Sequence, residues 1–302
     1  MFQLSPNAEQ IYITLLRYIS ILAIICNLIL MLLIALKTPQ VMRTYSYHLF
    51  HVCFWHLAQA IWFGTFHQPV PISRDQICFR MAGLWAPLET FYFIIWVIFN
   101  TGSSHSLLVS LVYQYLVLCT RIPKFLNCAT GSLMLGIYLA INMVVGVSSF
   151  LSITRWTQDL VCFKAFLNWR LMGSVFTIIA IIIVTILICF LSYLKVRKLK
   201  RTLNTVTFDN LKMLTVHAVI QSVIPLLVAV IPMSAGMYIS AQKYDYGLYF
   251  IAACPVLVEA LALWSPIVTL ILVTPYRKTV CELFQCKRAV VVSVMRTKSL
   301  KP

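Results

Sequence analysis

Charged side chains are scarce in this sequence. Only 11% of its 302 residues are Asp, Glu, Lys or Arg, and just eight residues are acidic, whereas 61% are hydrophobic. A water-facing globular domain usually carries about 25% charged residues. The composition therefore excludes an ordinary soluble domain and favours a membrane protein.

Motifs that would indicate an enzyme are also missing. The sequence has no zinc-binding His pair with a general-base Glu, no nucleophile elbow and no phosphate loop. His48, His51 and His56 cluster, but no carboxylate accompanies them, so we predict no metal site. No Asn-x-Ser/Thr acceptor for N-glycosylation occurs. We predict that the protein is not an enzyme and has no cofactor.

Seven apolar stretches are long enough to cross a bilayer, for which a helix needs roughly 20 apolar residues. These spans lie near residues 11–36, 45–66, 87–119, 131–152, 171–195, 213–239 and 247–273. They predict an all-α membrane protein, a single seven-transmembrane helix bundle over residues 1–302. Residues 274–302 are predicted to be a cytoplasmic tail, and Val280, Leu283 and Phe284 indicate a short amphipathic helix at its start.

Basic residues between the spans crowd onto alternate sides, which sets the orientation. With the N-terminus outside, 17 of the 24 Lys and Arg residues fall inside, as retention of basic loops in the cytoplasm requires. The other seven are Arg17, Arg74, Arg80, Arg155, Lys164, Arg170 and Lys243. We therefore predict an outer N-terminus and an inner C-terminus. The net charge of +16 indicates contact with anionic membrane lipid and no nucleic-acid partner.

Two of the ten cysteines are predicted to face the oxidising side of the membrane. Cys78 precedes span three and Cys162 lies in the outer loop after span four, so the two can form one disulfide bond. Cys281 and Cys286 follow the last span in a basic stretch. They are candidates for acylation, with unmodified thiols as the equal alternative.

Two carboxylates fall within the spans, where a charge costs about 2.5 to 3.5 kcal/mol. Glu89 follows Pro87 closely, a pattern typical of a helix start, and it is also a candidate ligand contact at the rim of a pocket. Glu259 lies two helical turns before Pro266. It is either a ligand contact or a hydrogen-bonded carboxyl group between helices.

One face of span three carries Phe93, Trp96 and Asn100 at helical spacing. That face is a candidate lining for an aromatic, weakly polar pocket that binds a small organic ligand. The alternative is ordinary packing between helices. In span six, Pro225 and Pro232 each remove a backbone donor, so we predict a kinked helix that pivots near Pro225.

Three stretches resemble a known family. The inner end of span three reads Tyr113-Gln114-Tyr115, span six opens on residues 217–225 with Gln221 and Pro225, and span seven has Pro266 followed by Pro275-Tyr276-Arg277. Together they resemble the nematode seven-transmembrane serpentine chemoreceptors of the Str superfamily, with Srd and Str as the nearest classes.

The resemblance implies a receptor in the plasma membrane of chemosensory neurons, with the sensory cilium as a candidate location. Such a receptor binds a small environmental chemical in the outer half of the bundle and signals through a heterotrimeric G protein. The implied switch residues are Tyr113, Gln114, Tyr115, Pro225, Pro266, Tyr276 and Arg277. Gln114 stands where the family usually has Arg, and an amide cannot make the charge-assisted bonds of a guanidinium. We therefore predict weaker or differently controlled coupling.

A transporter or ligand-gated channel is the alternative from another class. Seven spans with buried carboxylates and proline-broken helices are able to line a pathway. No similarity between the two halves of the chain favours it. A microbial-type rhodopsin is excluded because span seven has no Lys to form a retinal Schiff base.

Overall fold

The protein is represented by a computed structural model that describes residues 5–66, 68–71, 77–82, 89–119, 140, 147, 153–157, 160–163, 169–200, 205–225, 227–228, 231–232, 235, 239 and 246–282. Six long helices have described bounds: α1 (Pro6–Lys37), α2 (Arg43–Ile61), α3 (Glu89–Leu118), α4 (Trp169–Leu199), α5 (Thr205–Pro225) and α6 (Tyr246–Leu272). The predicted fourth span, residues 131–152, lies outside the described residues except for two helical positions, Ala140 and Val147.

Local sequence sets the ends of α1. The hydroxyl group of Ser5 accepts a hydrogen bond from the Ala8 amide at 3.3 Å, and Pro6 occupies the first turn, where its missing N–H costs nothing. At the other end, the Thr38 hydroxyl donates to the Ile34 carbonyl at 2.6 Å. These contacts satisfy backbone groups that have no partner within the helix.

The burial pattern is the reverse of that of a water-soluble protein. Large apolar side chains such as Ile11, Leu32 and Phe190 are more than half exposed, whereas Ser20 and Asn27 are fully buried. This pattern is expected where the outer surface meets lipid and polar groups pair between helices. Within the described ranges, Pro6–Lys37 and Ala253–Leu272 are helices long and apolar enough to cross a bilayer.

A four-stranded antiparallel sheet covers one end of the bundle, where the sequence predicted only loops. Its strands are β1 (Gln68–Pro71), β2 (Ile77–Ala82), β3 (Ile153–Thr157) and β4 (Leu160–Phe163), in the order β1-β2-β4-β3. The register places Cys78 of β2 opposite Cys162 of β4, and Cys78 is disulfide-bonded. We call the end of the bundle that this sheet covers the sheet end.

The start of α1 is attached to the sheet end. The Tyr12 hydroxyl donates to the Pro69 carbonyl at 2.9 Å, and Arg80 of β2 forms an ion pair with Glu9. The N-terminal end of α1 and the two loops that carry the strands therefore lie on the same side of the bundle.

Two glycines allow close approach between elements. A Cβ atom on Gly102 of α3 would lie 2.6 Å from the indole ring of Trp55 in α2. A Cβ atom on Gly64, in the π-helical turn Trp62–Phe66 that follows α2, would lie 2.7 Å from Cβ of Ser20. Both distances are shorter than real Cβ contacts, so a larger residue requires that the neighbouring side chain or the helices move.

The opposite end of the bundle has an apolar core formed by α1, α2, α5 and the segment after α6. Its buried members are Leu30, Leu33, Ile34, Met42, Tyr45, Leu49, Cys53, Leu214, Val273 and Tyr276. Residues 274–282 continue as a helix, and Val280 packs against this core. Leu283 and Phe284, which the sequence assigns to the same short helix, lie outside the described residues.

Candidate functional site: a polar core between the helices

A connected group of polar side chains joins α2, α5 and α6. At its centre, His217 of α5 is fully buried. Its Nδ1 lies 2.6 Å from the Tyr45 hydroxyl and its Nε2 lies 2.9 Å from the Thr269 hydroxyl. The imidazole therefore bridges helices that are far apart in sequence.

Gln221, one turn after His217, strengthens the same interface. Its Nε2 lies 3.0 Å from the Ser265 hydroxyl and 2.9 Å from the Thr269 hydroxyl. We call Tyr45, His217, Gln221, Ser265 and Thr269 the polar core. No fully buried nitrogen or oxygen atom in these five side chains lacks a hydrogen bond.

One set of directions satisfies all of these hydrogen bonds. Thr269 donates its only proton to the Ser265 carbonyl at 2.9 Å, so its oxygen accepts from Gln221 and from His217. In this set His217 carries its proton on Nε2, and its Nδ1 accepts from the Tyr45 hydroxyl. With these directions, the five side chains of the polar core are uncharged, and each of their hydrogen bonds joins one donor to one acceptor.

Prolines border the polar core on both helices. Pro225 ends the described part of α5, four residues after Gln221, and Pro266 follows Ser265 in α6. Pro266 has no N–H for the carbonyl of Ala262, and the Asn27 amide of α1 donates to that carbonyl instead, at 2.9 Å. The side chain of α1 thereby compensates for the proline in α6.

A second polar group lies where α1, α2 and α6 meet. Glu259 is fully buried, and the side chains of Ser20 and Gln59 lie beside its carboxyl group. No hydrogen bond of normal geometry reaches either carboxyl oxygen from the residues that the structure describes. Gln59 instead donates to the Val258 carbonyl at 3.2 Å. We call Ser20, Asn27, Gln59 and Glu259 the Glu259 cluster.

Two tyrosines, Tyr276 and Tyr113, make side-chain contacts at the end of the bundle opposite the sheet. Tyr276 is fully buried, and its hydroxyl lies 2.9 Å from that of Thr38. Burial raises the pKa of Tyr276 above its usual value, so the phenol stays neutral. The ring of Tyr113 lies against His48 with centroids 4.2 Å apart. Gln114 is 1% exposed, and its Nε2 has no hydrogen-bond partner in the described ranges.

Comparison with known families identifies the chain. The sequence matches the family model described as "Serpentine type 7TM GPCR chemoreceptor Srd" over residues 12–282. The chain belongs to the Srd family of serpentine chemoreceptors. It is therefore a G-protein-coupled-type receptor that passes through the membrane several times, and its family is one of receptors and not of enzymes.

The fold of this Srd receptor is similar to that of squid rhodopsin. The crystal structure of squid rhodopsin aligns with a TM-score of 0.63 and 11% sequence identity, covering 94% of this chain and 87% of that chain. At this identity the similarity concerns the fold alone, and with the family match it confirms the predicted seven-helix membrane bundle. No curated protein sequence matches the chain.

The predicted ligand-contact residues of the Srd receptor fall on two helices. Glu89, Phe93, Trp96 and Asn100 have described backbones in α3, but their side chains lie outside the described residues. Glu259 faces α1 and α2. The structure therefore describes the surroundings of one of the five predicted contacts.

The predicted switch residues of the Srd receptor are spread along the half of the bundle away from the sheet. Tyr115 is half-buried near the end of α3, and Pro266 is buried in α6. Arg277 is exposed, with a guanidinium nitrogen 3.5 Å from the Ile271 carbonyl. Cys281 is an exposed free thiol, and Cys286 lies outside the described residues.

Sequence reasoning gave no functional role to the polar core. His217, Gln221, Ser265 and Thr269 all lie in the stretches that carry the family resemblance, and Tyr45 lies at the start of span two. A signal was present, because His217 and Gln221, like Ser265 and Thr269, are polar pairs four residues apart in apolar helices. Such pairs lie on one helix face and indicate bonding to a neighbouring helix.

Proposed function

We propose that this Srd receptor binds a small organic molecule in the half of the bundle next to the sheet. The proposed contacts are Glu89, Phe93, Trp96, Asn100 and Glu259. The sheet end is proposed to face outwards, with the Cys78–Cys162 disulfide bond holding its two loops together. The proposed location is the plasma membrane, including the sensory cilium of chemosensory neurons, where the surrounding lipid is a further partner.

The receptor is proposed to signal through a heterotrimeric G protein at the end opposite the sheet. The single observation that carries the mechanism is the polar core, which bonds α5 to α6 and α2 next to Pro225 and Pro266. A ligand shifts a conformational equilibrium only by its differential affinity for the two states. We infer that bound ligand favours a helix arrangement in which the hydrogen bonds of the polar core rearrange and α5 pivots near Pro225.

In this mechanism, Tyr113, Gln114, Tyr115, Tyr276 and Arg277 form the surface that responds to the rearrangement. Tyr276 belongs to the same apolar core as Tyr45, which provides a packed connection from the polar core to the end opposite the sheet. Movement of α5 would change the packing around Tyr276, because Leu214 of α5 belongs to the same apolar core.

Expression in a cell line with a second-messenger readout tests the proposal. A panel of volatile and water-soluble compounds should contain at least one that raises the signal at equal surface expression. Trp96→Ala should then raise the half-maximal ligand concentration about tenfold or more. Ile95→Ala, on another face of α3, should change this concentration by less than about threefold. A ligand-dependent ion current that persists without G protein would instead favour a channel.

The role of Gln114 is tested in the same cells. Its buried amide lacks a partner for Nε2, so Gln114→Arg introduces a charge that must find a partner or move to the surface. We expect Gln114→Arg to change basal signalling at equal surface expression. An unchanged basal level would count against a switch role for this position.

A further inference from the structure

Arg17 is a basic residue on the lipid-facing side of α1. It is exposed, and so are its neighbours Tyr18 and Ile21 on the outer surface of the bundle. Glu9, the acidic residue of α1, forms an ion pair with Arg80 of β2 instead. Among the residues that the structure describes, no acidic side chain pairs with Arg17. A charge on a lipid-facing surface is costly unless it reaches the polar part of the membrane.

The length of α1 indicates the depth of Arg17 in the membrane. Lys37, the last residue of α1, lies twenty residues further along the chain, and no charged residue occurs between the two. An α-helix rises about 1.5 Å per residue, so the two basic residues are about 30 Å apart along the helix. This distance equals the thickness of the hydrocarbon core of a typical bilayer, about 30 Å. Arg17 and Lys37 therefore lie at the two boundaries of that core.

The helix also sets the direction of the Arg17 side chain. Side chains in an α-helix tilt towards the helix N-terminus, and a long arginine side chain extends from apolar surroundings towards water. The N-terminal end of α1 is attached to the sheet end, where the Tyr12 hydroxyl donates to the Pro69 carbonyl. Tyr12 precedes Arg17 by five residues, which is about 7.5 Å along the helix. We therefore expect the guanidinium group in the headgroup layer beside the sheet end.

Two further polar residues, Gln10 and Thr14, lie in a row with Arg17. They precede it by seven and three residues, and this spacing places all three on one face of α1. A hollow of about 310 Å³ lies on this face, lined by Gln10, Ile11, Thr14, Leu15 and Tyr18. Guanidinium, amide and hydroxyl groups are all donors to phosphate oxygens in proteins. The face therefore presents one positive charge with additional donors one and two turns closer to the sheet end.

The chemistry of this face indicates its occupant. A guanidinium group forms paired hydrogen bonds with a phosphate group, which adds geometric specificity to the attraction of charge. Further along the same face, away from the sheet, the exposed side chains Ile21, Ile25 and Leu28 are apolar. They suit an acyl chain. A phosphate group at the level of Arg17 with acyl chains below it matches both parts, and a phospholipid of the leaflet next to the sheet end has this arrangement.

We propose that Gln10, Thr14 and Arg17 form a binding site for the phosphate group of one phospholipid molecule. Arg17 binds the phosphate oxygens, and the Thr14 hydroxyl and the Gln10 amide donate further hydrogen bonds. The bound lipid would hold α1 at a fixed depth in the membrane, next to its attachment to the sheet end. The proposal does not depend on the proposed chemosensory function, because lipid binding is measured without an organic ligand or a G protein.

Lipid retention by the full-length receptor tests the proposal. The receptor is reconstituted in vesicles that contain equal amounts of phosphatidylcholine and of a galactosyl diacylglycerol with the same acyl chains. It is then extracted with a mild detergent, and its bound lipids are counted by native mass spectrometry. We expect one phosphatidylcholine molecule to remain bound, in preference to the phosphate-free glycolipid by about fivefold or more. Equal retention of the two lipids by the wild type would refute the site.

Variants of Arg17 show whether the retained lipid occupies this face. Arg17→Gln should lower phosphatidylcholine retention about fivefold or more, and Arg17→Lys about twofold, because an ammonium group lacks the paired geometry. Arg43→Gln, which removes an exposed arginine at the opposite end of the bundle, is the matched control and should retain the lipid as the wild type does. Unchanged retention in Arg17→Gln would overturn the proposal.

A second set of measurements covers the case in which Arg17→Gln is not recovered from the membrane. Thr14→Val keeps the charge of the site but removes one donor, so it should lower retention about twofold. Unchanged retention in both Thr14→Val and Arg17→Lys would refute the site. Inorganic phosphate added during extraction should not displace the lipid, and its displacement would identify a free anion as the ligand instead. A disulfide-linked dimer of Tyr18→Cys in vesicles, absent from the wild type, would show that a second copy covers this face and would also overturn the proposal.

Discussion

The polar core and the Glu259 cluster are equally buried, yet their hydrogen bonding differs. In the polar core, neutral donors and acceptors match one another through His217 and Thr269. In the Glu259 cluster, several buried oxygen atoms have no hydrogen bond from the residues that the structure describes. Burial alone therefore does not show whether a polar group between helices has all of its hydrogen-bond partners. The count of donors and acceptors does.

Replacing the central residue of the polar core should have the largest effect. His217→Phe removes two hydrogen bonds and leaves the Tyr45 hydroxyl buried without its acceptor. We expect a loss of about 2 to 3 kcal/mol in the free energy of unfolding, measured by thermal or denaturant unfolding in detergent micelles. His48→Phe is the matched control, since a Phe ring can keep the contact with Tyr113. Equal losses for both variants would show that the polar core contributes little.

Filling the space beside the Glu259 cluster should have the next largest effect. In Gly64→Ala, the new Cβ would lie 2.7 Å from Cβ of Ser20, and the resulting overpacking should cost about 1 to 3 kcal/mol. The double variant Gly64→Ala with Ser20→Gly removes the clash and should recover much of the loss. Additive losses in a double-mutant cycle would contradict close contact between these positions.

The paired hydroxyl groups at the opposite end should matter less. Tyr276→Phe keeps the buried ring but removes the bond to Thr38, so we expect a loss of about 0.5 to 1.5 kcal/mol. Thr38→Val should cause a similar loss, measured by the same unfolding assay. The double variant should be no worse than either single variant by more than about 0.5 kcal/mol, and full additivity would argue against the bond.

Removal of a buried hydroxyl group that has no partner among the described residues should change the free energy of unfolding least. Ser222 lies next to Gln221, and its hydroxyl has no hydrogen bond within the described residues. Ser222→Ala should change the free energy of unfolding by less than about 0.5 kcal/mol or increase it, because no hydrogen bond is lost. Thr269→Val, which removes a member of the polar core, should be clearly destabilising in the same assay. A larger loss for Ser222→Ala would reverse this ranking.

The helices were predictable from sequence and the sheet was not. A run of about 20 apolar residues is long enough to cross the bilayer as a helix. Each helix can therefore be predicted from one continuous stretch of sequence. The strands are only four to six residues long, and β2 pairs with β4 across a large separation in the chain. Strand β1 contains two prolines, which removes the usual strand signal. Such pairing depends on tertiary structure.

The candidate site was partly predictable for the same reason. Glu259 stood out because a carboxylate in an apolar span needs an explanation, but its neighbours come from α1 and α2. Tyr45 and His217 are 172 residues apart, and no local pattern links them. Sequence identifies which residues need partners, whereas the fold determines which partners they have.

One consequence follows from the way in which α1 and α2 are attached to α6. Asn27 and Gln59 donate to the main-chain carbonyls of Ala262 and Val258, so only one residue of each pair contributes a side chain. Substitutions at positions 258 and 262 that fit the available volume should leave both bonds intact. Contacts of this kind make the attachment of α1 and α2 to α6 independent of the side chains at positions 258 and 262, so that the helices remain joined when these side chains change.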